Sequence, residues 1–340
     1  MEIIVPKRTP LLFIFLCGFS FFPTSAMGAE LALRVTDSVY ANNLEYTGPV
    51  DRYREGETFF GNLFVPTAEL HFLPQHSFNA GVLMRMPFGA SKIIDPIVPI
   101  IAFHSLFFER QLQVIAGSLN TRHRTLEAIL DNNLFYVRPV EYGLQGIADF
   151  EQWSGEAWID WQRMESQLHN EKFDAGLTGE IKWKGLFGEL LWHYSHMGGQ
   201  LFQNADPVLD DNALAGGAGY GIEVPWVNRI ELSGHRIFSA LTNRGKGSRE
   251  GRGFEARFSL HPSDWKIFAS WWKGEEFFHE DGDPLYKAKE YVQFGIVKQF
   301  SFSKGFQIGL DARAKRVDGY FVHSEGVLFS WDWAFPLMDL

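Results

Sequence analysis

Residues 306–316 read FQIGLDARAKR, and apolar and polar side chains alternate along them one by one. Phe306, Ile308, Leu310, Ala312 and Ala314 share one parity, while Gln307, Asp311, Arg313 and Lys315 share the other. Successive side chains of a strand point to opposite faces, whereas a helix turns every 3.6 residues and would mix the two sets. The same parity separates Phe254, Ala256, Phe258 and Leu260 from Glu255, Arg257, Ser259 and His261. It also separates Ala175, Leu177, Ile181 and Trp183 from Thr178, Glu180 and Lys182. A chain written this way forms strands with one greasy face and one wet face.

Read by this rule, the chain contains about sixteen strands. They begin near Leu31, Glu57, Phe78, Val98, Gln111, Tyr142, Gly155, Glu171, Leu186, Leu214, Trp226, Arg252, Asp264, Lys287, Gly305 and Tyr320. Most run about 9–13 residues, which suits the roughly 9–11 that a tilted strand needs to cross a bilayer, against a mode of about 5–6 in soluble sheets. The connections alternate. Short ones at 73–76, 109–110, 184–185, 225, 262–263 and 303–304 interleave with long polar stretches at 42–56, 120–141, 197–213, 239–251 and 275–286. Membrane barrels alternate short periplasmic turns with longer extracellular loops in this manner. The tight turn at Val317, Asp318 and Gly319 falls on the long-loop side, where Asp-Gly suits a hairpin. These features predict an all-β fold, a transmembrane antiparallel β-barrel of about 16 strands in meander order, with residues 29–340 as its single domain.

Residues 1–28 read as a cleavable export signal. Lys7 and Arg8 precede an apolar run at 11–22 (LLFIFLCGFSFF), Pro23 breaks it, and Ala26 and Gly28 offer small residues for cleavage. The run is shorter than the roughly 20 residues of a spanning helix. Its removal takes away Cys17, the one cysteine, and with it disulfides, thiol catalysis and thiolate metal sites. Aromatics make up 16% of the chain while the mean hydropathy is only -0.12, a pairing that fits strands with one face in lipid and one in water. Trp226, Trp265, Trp271, Trp331, Trp333 and Tyr320 sit near strand ends, where amphipathic rings favour the membrane boundary. A net charge of -10 argues against nucleic acid as a partner.

The last strand reads Val327, Phe329, Trp331, Trp333 and Phe335 on one parity and Leu328, Ser330, Asp332 and Ala334 on the other, with residues 336–340 beyond. This closing pattern and the strand plan resemble the bacterial porin-like outer-membrane β-barrels. The resemblance implies a bacterial outer-membrane location and contact with lipid and lipopolysaccharide. It further implies a channel for passive or weakly selective diffusion of small polar solutes or ions, with no cofactor and no enzymatic activity. A homotrimer or a periplasmic partner fits the same architecture, and an export conduit or barrel sheath is the alternative use.

A barrel of about sixteen strands is wide enough for an aqueous lumen. Glu180, Lys182, Arg229, Glu231, Glu255, Arg257, Asp311, Arg313 and Lys315 would face it with both signs of charge, as pore lining or as ion pairs in the wall. Residues 120–141 form the most unusual connection, with a helix-compatible stretch at 125–132 that puts Leu126, Ile129 and Leu130 on one side. The expected constriction set is Arg122, Arg124, Glu127, Asp131, Arg138 and Glu141 from this loop, with Arg257, Asp311 and Arg313 from the wall. A cap across the outer mouth, or a loop against lipid headgroups, is the competing reading.

Residues 189–200 (ELLWHYSHMGGQ) put Glu189, His193 and Ser195 on one face. They look somewhat like the His-x-Ser segment of outer-membrane phospholipases, where His activates Ser. Leu190, Trp192 and Tyr194 claim the lipid face instead, and His196-Met197 stand where those enzymes carry Asn-Gly. A hydrolase is therefore an alternative reading, and no catalytic residue is expected. The acidic clusters at 206–211 and 275–283 lack specific ligand spacing and read as solvated loop charge, so no metal is expected. The basic group Arg244, Lys246, Arg249 and Arg252 reads as a wet surface able to meet lipopolysaccharide phosphates.

Overall fold

The computed structural model describes residues 28–46, 52–199, 201–202, 206–302 and 305–339. The export signal and the turn at 303–304 lie outside them. The strands are β1 (Glu30–Glu45), β2 (Glu57–Leu73), β3 (His76–Pro87), β4 (Ile97–Phe107), β5 (Leu112–Ser118), β6 (Tyr142–Asp149), β7 (Trp153–Arg163) and β8 (Glu171–Trp183). They continue as β9 (Leu186–Gly198), β10 (Leu209–Val224), β11 (Asn228–Asn243), β12 (Gly247–His261), β13 (Trp265–Glu275), β14 (Glu290–Ser301), β15 (Phe306–Val317) and β16 (Tyr320–Asp339). Each pairs antiparallel with the next, and β16 returns to β1, so the sheet is a closed meander barrel without a free edge. No helix among the described residues is long and apolar enough to cross a membrane, and strands do the crossing.

Parity decides which side chains meet lipid. Leu177, Leu190, Leu232, Phe258 and Phe294 stand exposed on the outside, as do Trp226, Trp265, Trp271, Trp333 and Tyr320. Their strand neighbours Thr178, Ser233, Ser259 and Gln293 are buried inside. On β16 the outward Phe329, Trp333 and Phe335 alternate with inward Asp332, whose carboxylate takes a bidentate pair of hydrogen bonds from Arg34 of β1. The strand also runs past Phe335, because Leu31 and Glu30 continue to pair with Met338 and Asp339.

Two local expectations are corrected. Residues 239–251 are mostly strand: Asn243 pairs with Gly247, leaving a turn of only 244–246. The polar character of this hairpin reflects wet surroundings on both faces beyond the apolar belt. Residues 125–132 form turns, and the short helix α1 lies further on, at Leu134–Val137. The amides of Ile129 and Leu130 both bond the Leu126 carbonyl, but the Asp131 amide goes to the carbonyl of Asp281 in a neighbouring loop. A tertiary partner takes the donor that the next helical turn would need.

That neighbour is the connection between β13 and β14, which folds into the barrel beside the connection between β5 and β6. The loops are laced together by a second backbone bond, from the Asp283 amide to the Glu127 carbonyl (2.8 Å). At Gly282 a Cβ would stand 2.2 Å from the Ala128 carbonyl oxygen, so only glycine permits this approach. Leu126, Ala128, Ile129, Leu285 and Tyr286 pack against Leu191, Ala213, Ile237, Trp272 and Tyr291 of the wall. Each fully buried Leu or Ile contributes about 1.5–3 kcal/mol. An apolar plug thus occupies the lumen at the long-loop end, and a cavity of about 680 Å³ lies beside it.

Candidate active site

The loop at 119–141 enters the lumen through a fixed gateway. The Leu119 amide bonds the Glu141 carbonyl, and Asn120 exchanges two hydrogen bonds with the side chain of Gln145. His123 follows, with Nδ1 2.6 Å from Glu156 of β7 and Nε2 2.7 Å from Glu141. Its ring stacks on Trp158 at 3.8 Å. Burial works to lower the affinity of His123 for its second proton, but hydrogen bonds to Glu141 and Glu156 outweigh it and raise the pKa to about 9. His123 is therefore an imidazolium clamped between two carboxylates.

A second cluster lies across Trp158. Register places Asp174 of β8, Ser195 of β9 and Asp211 of β10 in one row across three strands, all of lumen parity. His193 is two residues before Ser195 and buried on the same face. From above, the β13–β14 connection brings in His279 and Asp281. His193 Nδ1 lies 2.9 Å from His279 Nε2, and His279 Nδ1 lies 3.1 Å from Asp211 Oδ1. Asp211 Oδ2 accepts the Glu280 backbone amide at 2.7 Å. Arg138 reaches Asp174 at 3.0 Å, Glu141 at 3.6 Å and Asp281 at 3.9 Å, so it ties both clusters together. Asp174 is hydrogen-bonded by Arg138 and Gln162, and the partner of His193 is His279. His193 and Ser195 do face the lumen as the alternation requires, but they do not form a nucleophile–base pair.

Buried polar groups are ordinarily hydrogen-bonded. Here Asp174 Oδ1, His193 Nε2 and Asp281 Oδ2 are buried without a partner. Asp211, Asp281 and Asp283 are at most 8% exposed, which corrects the solvated reading for these three, while Glu275, Glu276 and Glu280 stay exposed.

The expected constriction residues separate into groups. Arg122, Glu127, Asp131, Asp311 and Arg313 all line the cavity. Arg122 stands over the Phe135 ring at 4.4 Å, and Arg313 pairs with both Glu127 and Asp311. Burial disfavours the Glu127 charge, but Arg313 and Lys315 outweigh it and hold the carboxyl well below the usual range. Asp131 takes a 2.6 Å contact from Arg54, and Lys315 reaches Asp283 at 2.9 Å. Arg138 and Glu141 belong to the buried clusters, Arg257 pairs with Glu255 in the wall, and Arg124 turns away to an exposed pair with Asp149. The sequence places His123 only among the interleaved charges of the 120–141 connection and singles out none of Asp174, His279 and Asp281. Asp174 carried a usable signal, since it shares parity with Thr178 and Glu180 on the wet face of β8.

The family model described as "Lipid A 3'-O-deacylase-type" matches residues 24–340. It corrects the expectation of a barrel without enzymatic activity, because the family is one of deacylases. No curated protein matches the chain in sequence. Among solved structures, a loop-deletion mutant of OmpT from Vibrio cholerae is similar with a TM-score of 0.54 at 7% identity, covering 90% of this chain and 100% of its own. An anion-selective porin from Comamonas acidovorans gives 0.53 at 8%, covering 90% and 100%. OccK5 of Pseudomonas aeruginosa gives 0.51 at 12%, covering 92% and 99%. At such identities the likeness is one of fold, and it bears out the porin-like architecture. With the family match it makes the chain a bacterial outer-membrane protein.

Proposed function

Because the chain belongs to the Lipid A 3'-O-deacylase-type family, we propose that it is an outer-membrane hydrolase that cleaves an acyl ester of a lipid A-like glycolipid. The observation that carries the reading is the family match, which spans nearly all of the barrel. Ester hydrolysis needs an activated water and a positive group for the oxyanion. The His193, Asp174 and Asp281 cluster supports the first need, since the unpartnered Nε2 of His193 is open either to a proton of the water or to a cation that activates the water. Arg138, fixed by Asp174, supports the second. The cluster lies at the long-loop end of the barrel, the end that faces the outer leaflet in barrels of this class.

The test is acyl release from lipid A in mixed micelles, followed by mass spectrometry of the freed fatty acid. We expect release by the wild-type barrel and a loss of at least about 100-fold in His193→Ala, the scale of removing one acid–base group. Heat-modifiable gel migration reports whether the variant still closes. No release by the folded wild-type barrel would overturn the reading.

One observation favours a second use of the same fold. The 680 Å³ cavity beside the plug is lined by Arg122, Glu127, Asp131, Asp311 and Arg313. A solute path along it would make these residues the constriction. Steady conductance in a planar bilayer, shifted by Arg122→Ala, would support that use. A silent bilayer would remove it.

A further inference from the structure

We propose that Asp174, His193 and Asp281 form a binding site for a divalent cation of the zinc type, which fastens the β13–β14 connection to the barrel wall. One ligand atom from each residue lies within 4.8 Å of the others. In the tetrahedral arrangement of a zinc-type ion, ligands about 2.0–2.2 Å from the cation stand about 3.3–3.6 Å from one another. Closure around an ion therefore asks for movements of under about an ångström by each side chain.

Three independent features point to a ligand. The first is the set of vacant atoms: Asp174 Oδ1, His193 Nε2 and Asp281 Oδ2 are all buried without a hydrogen bond. A residue that is fully buried, as His193 is, does not leave its lone pair unpaired without cost. The second is the orientation of the ring. His193 Nδ1 is held by its 2.9 Å hydrogen bond with His279 Nε2, so Nε2 is the ring nitrogen left for a ligand. A metal-bound imidazole is typically oriented in this way, its far nitrogen hydrogen-bonded to a further group.

The third feature is charge. Asp174, Asp281 and Asp211 are buried close together, and Asp160 is buried on the neighbouring β7. The one guanidinium among them, Arg138, is shared with Glu141, and Lys172 acts only at longer range. Buried carboxylates need compensation by cations or protons. A dication between these three side chains supplies it. The imidazole in the set favours zinc-like ions over calcium or magnesium, which prefer oxygen alone.

The site also explains the seating of the loop. Asp281 is the sole ligand from the β13–β14 connection, while Asp174 and His193 belong to adjacent wall strands β8 and β9. A bound ion would join them across the lumen.

The test uses the purified full-length barrel, stripped with a chelator and titrated with Zn²⁺, with Ca²⁺ in parallel. Bound metal is counted by elemental analysis and the thermal midpoint is followed by heat-modifiable migration. We expect one Zn²⁺ per barrel, a midpoint raised by several degrees, and Zn²⁺ affinity reduced at least tenfold in His193→Gln and in Asp281→Asn. His235→Gln, a lumenal histidine bonded to Glu189 elsewhere in the wall, should bind as the wild type does. If the site variants do not fold, a zinc-edge anomalous map of the wild-type barrel decides, with density expected between Asp174, His193 and Asp281. No bound zinc, a preference for Ca²⁺, unchanged affinity in folded variants, or zinc located elsewhere would each overturn the proposal. None of these readouts depends on acyl release, so the site and the hydrolase reading stand or fall separately.

Discussion

The two sides of this lumen handle charge in opposite ways. Along β11, β12 and β15 an acid and a base sit two residues apart on one strand and pair with each other: Arg229 with Glu231 at 2.8 Å, Arg257 with Glu255 at 2.9 Å, and Arg313 with Asp311 at 2.7 Å. Period-two geometry makes that pairing automatic, since residues i and i+2 share a face. Along β7 to β10 the lumenal charges are mainly acidic, and their partners arrive from inserted loops: His123 and Arg138 from one, His279 from the other. On β11 and β12 the wall satisfies its own charges, while Arg313 and Lys315 of β15 also take Glu127 and Asp283 from the inserted loops. A wall that waits for loops to complete it is where binding and chemistry are built, and Asp174 Oδ1 and His193 Nε2 stand there unpartnered beside Asp281 Oδ2 of the loop.

The largest effect should come from breaking the loop-dependent side. His123→Ala leaves Glu141 and Glu156 buried without their cation, and removing one partner of a buried ion pair costs about 3–5 kcal/mol. Both carboxylates are at most 5% exposed, so water cannot replace the imidazolium. The thermal midpoint of the folded barrel should fall accordingly. A midpoint unchanged from wild type would mean the clamp does not stabilise the plug.

The same residue gives a pH signature of somewhat smaller size. His123 has its pKa raised from 6.5 to about 9, with Glu141 and Glu156 facing it and Arg138 beside Glu141. A group bound more tightly to its proton when folded adds stability that is complete below the unfolded value near 6.5 and is lost as pH climbs through about 9. The lost amount is a few kcal/mol at about 1.4 kcal/mol per unit. Unfolding midpoints taken from pH 6 to pH 10 should decline across this window. The decline should flatten in His123→Gln.

Next comes the contact between the two loops. Gly282→Ala would set a methyl group against the Ala128 carbonyl, and overpacking of this kind costs about 1–3 kcal/mol. Because Asp281 adjoins it, the variant should also weaken zinc binding while leaving barrel closure intact. Wild-type zinc affinity in Gly282→Ala would separate loop seating from the cation site.

How much of this was legible beforehand follows from the range of each interaction. Alternation is local, and it located all sixteen strands, the closed meander and the inward set Glu255, Arg257, Asp311, Arg313 and Lys315. It also put His193 and Ser195 on the lumen face. What it could not supply were the long-range partners. Asp281 lies in a run of acids that looks solvated until the loop at 119–141 reaches it, the Asp131 amide taking its carbonyl and Arg138 approaching its carboxylate. The 125–132 turn failed as a helix for the same reason, its Asp131 amide being claimed by Asp281. His123 gave no sign of its role because Glu141 and Glu156 come from separate elements. The non-enzymatic expectation rested on the lipid-facing test for a His–Ser pair, which is silent about a site built inside the lumen.

The smallest effect belongs to the self-paired wall, and it is the sharpest check on the contrast. Arg229 and Glu231 are partly exposed, with side chains 41% and 27% accessible, near the short-turn end of β11. Exposed pairs are worth about 0–1 kcal/mol because water and salt screen them. Glu231→Gln should therefore shift the thermal midpoint by a degree or two at most, and added salt should erase the shift. Acyl release and zinc affinity should match the wild type. A loss as large as that of His123→Ala would mean that both sides of the lumen depend on their charges equally, and that where a partner comes from does not mark the functional side.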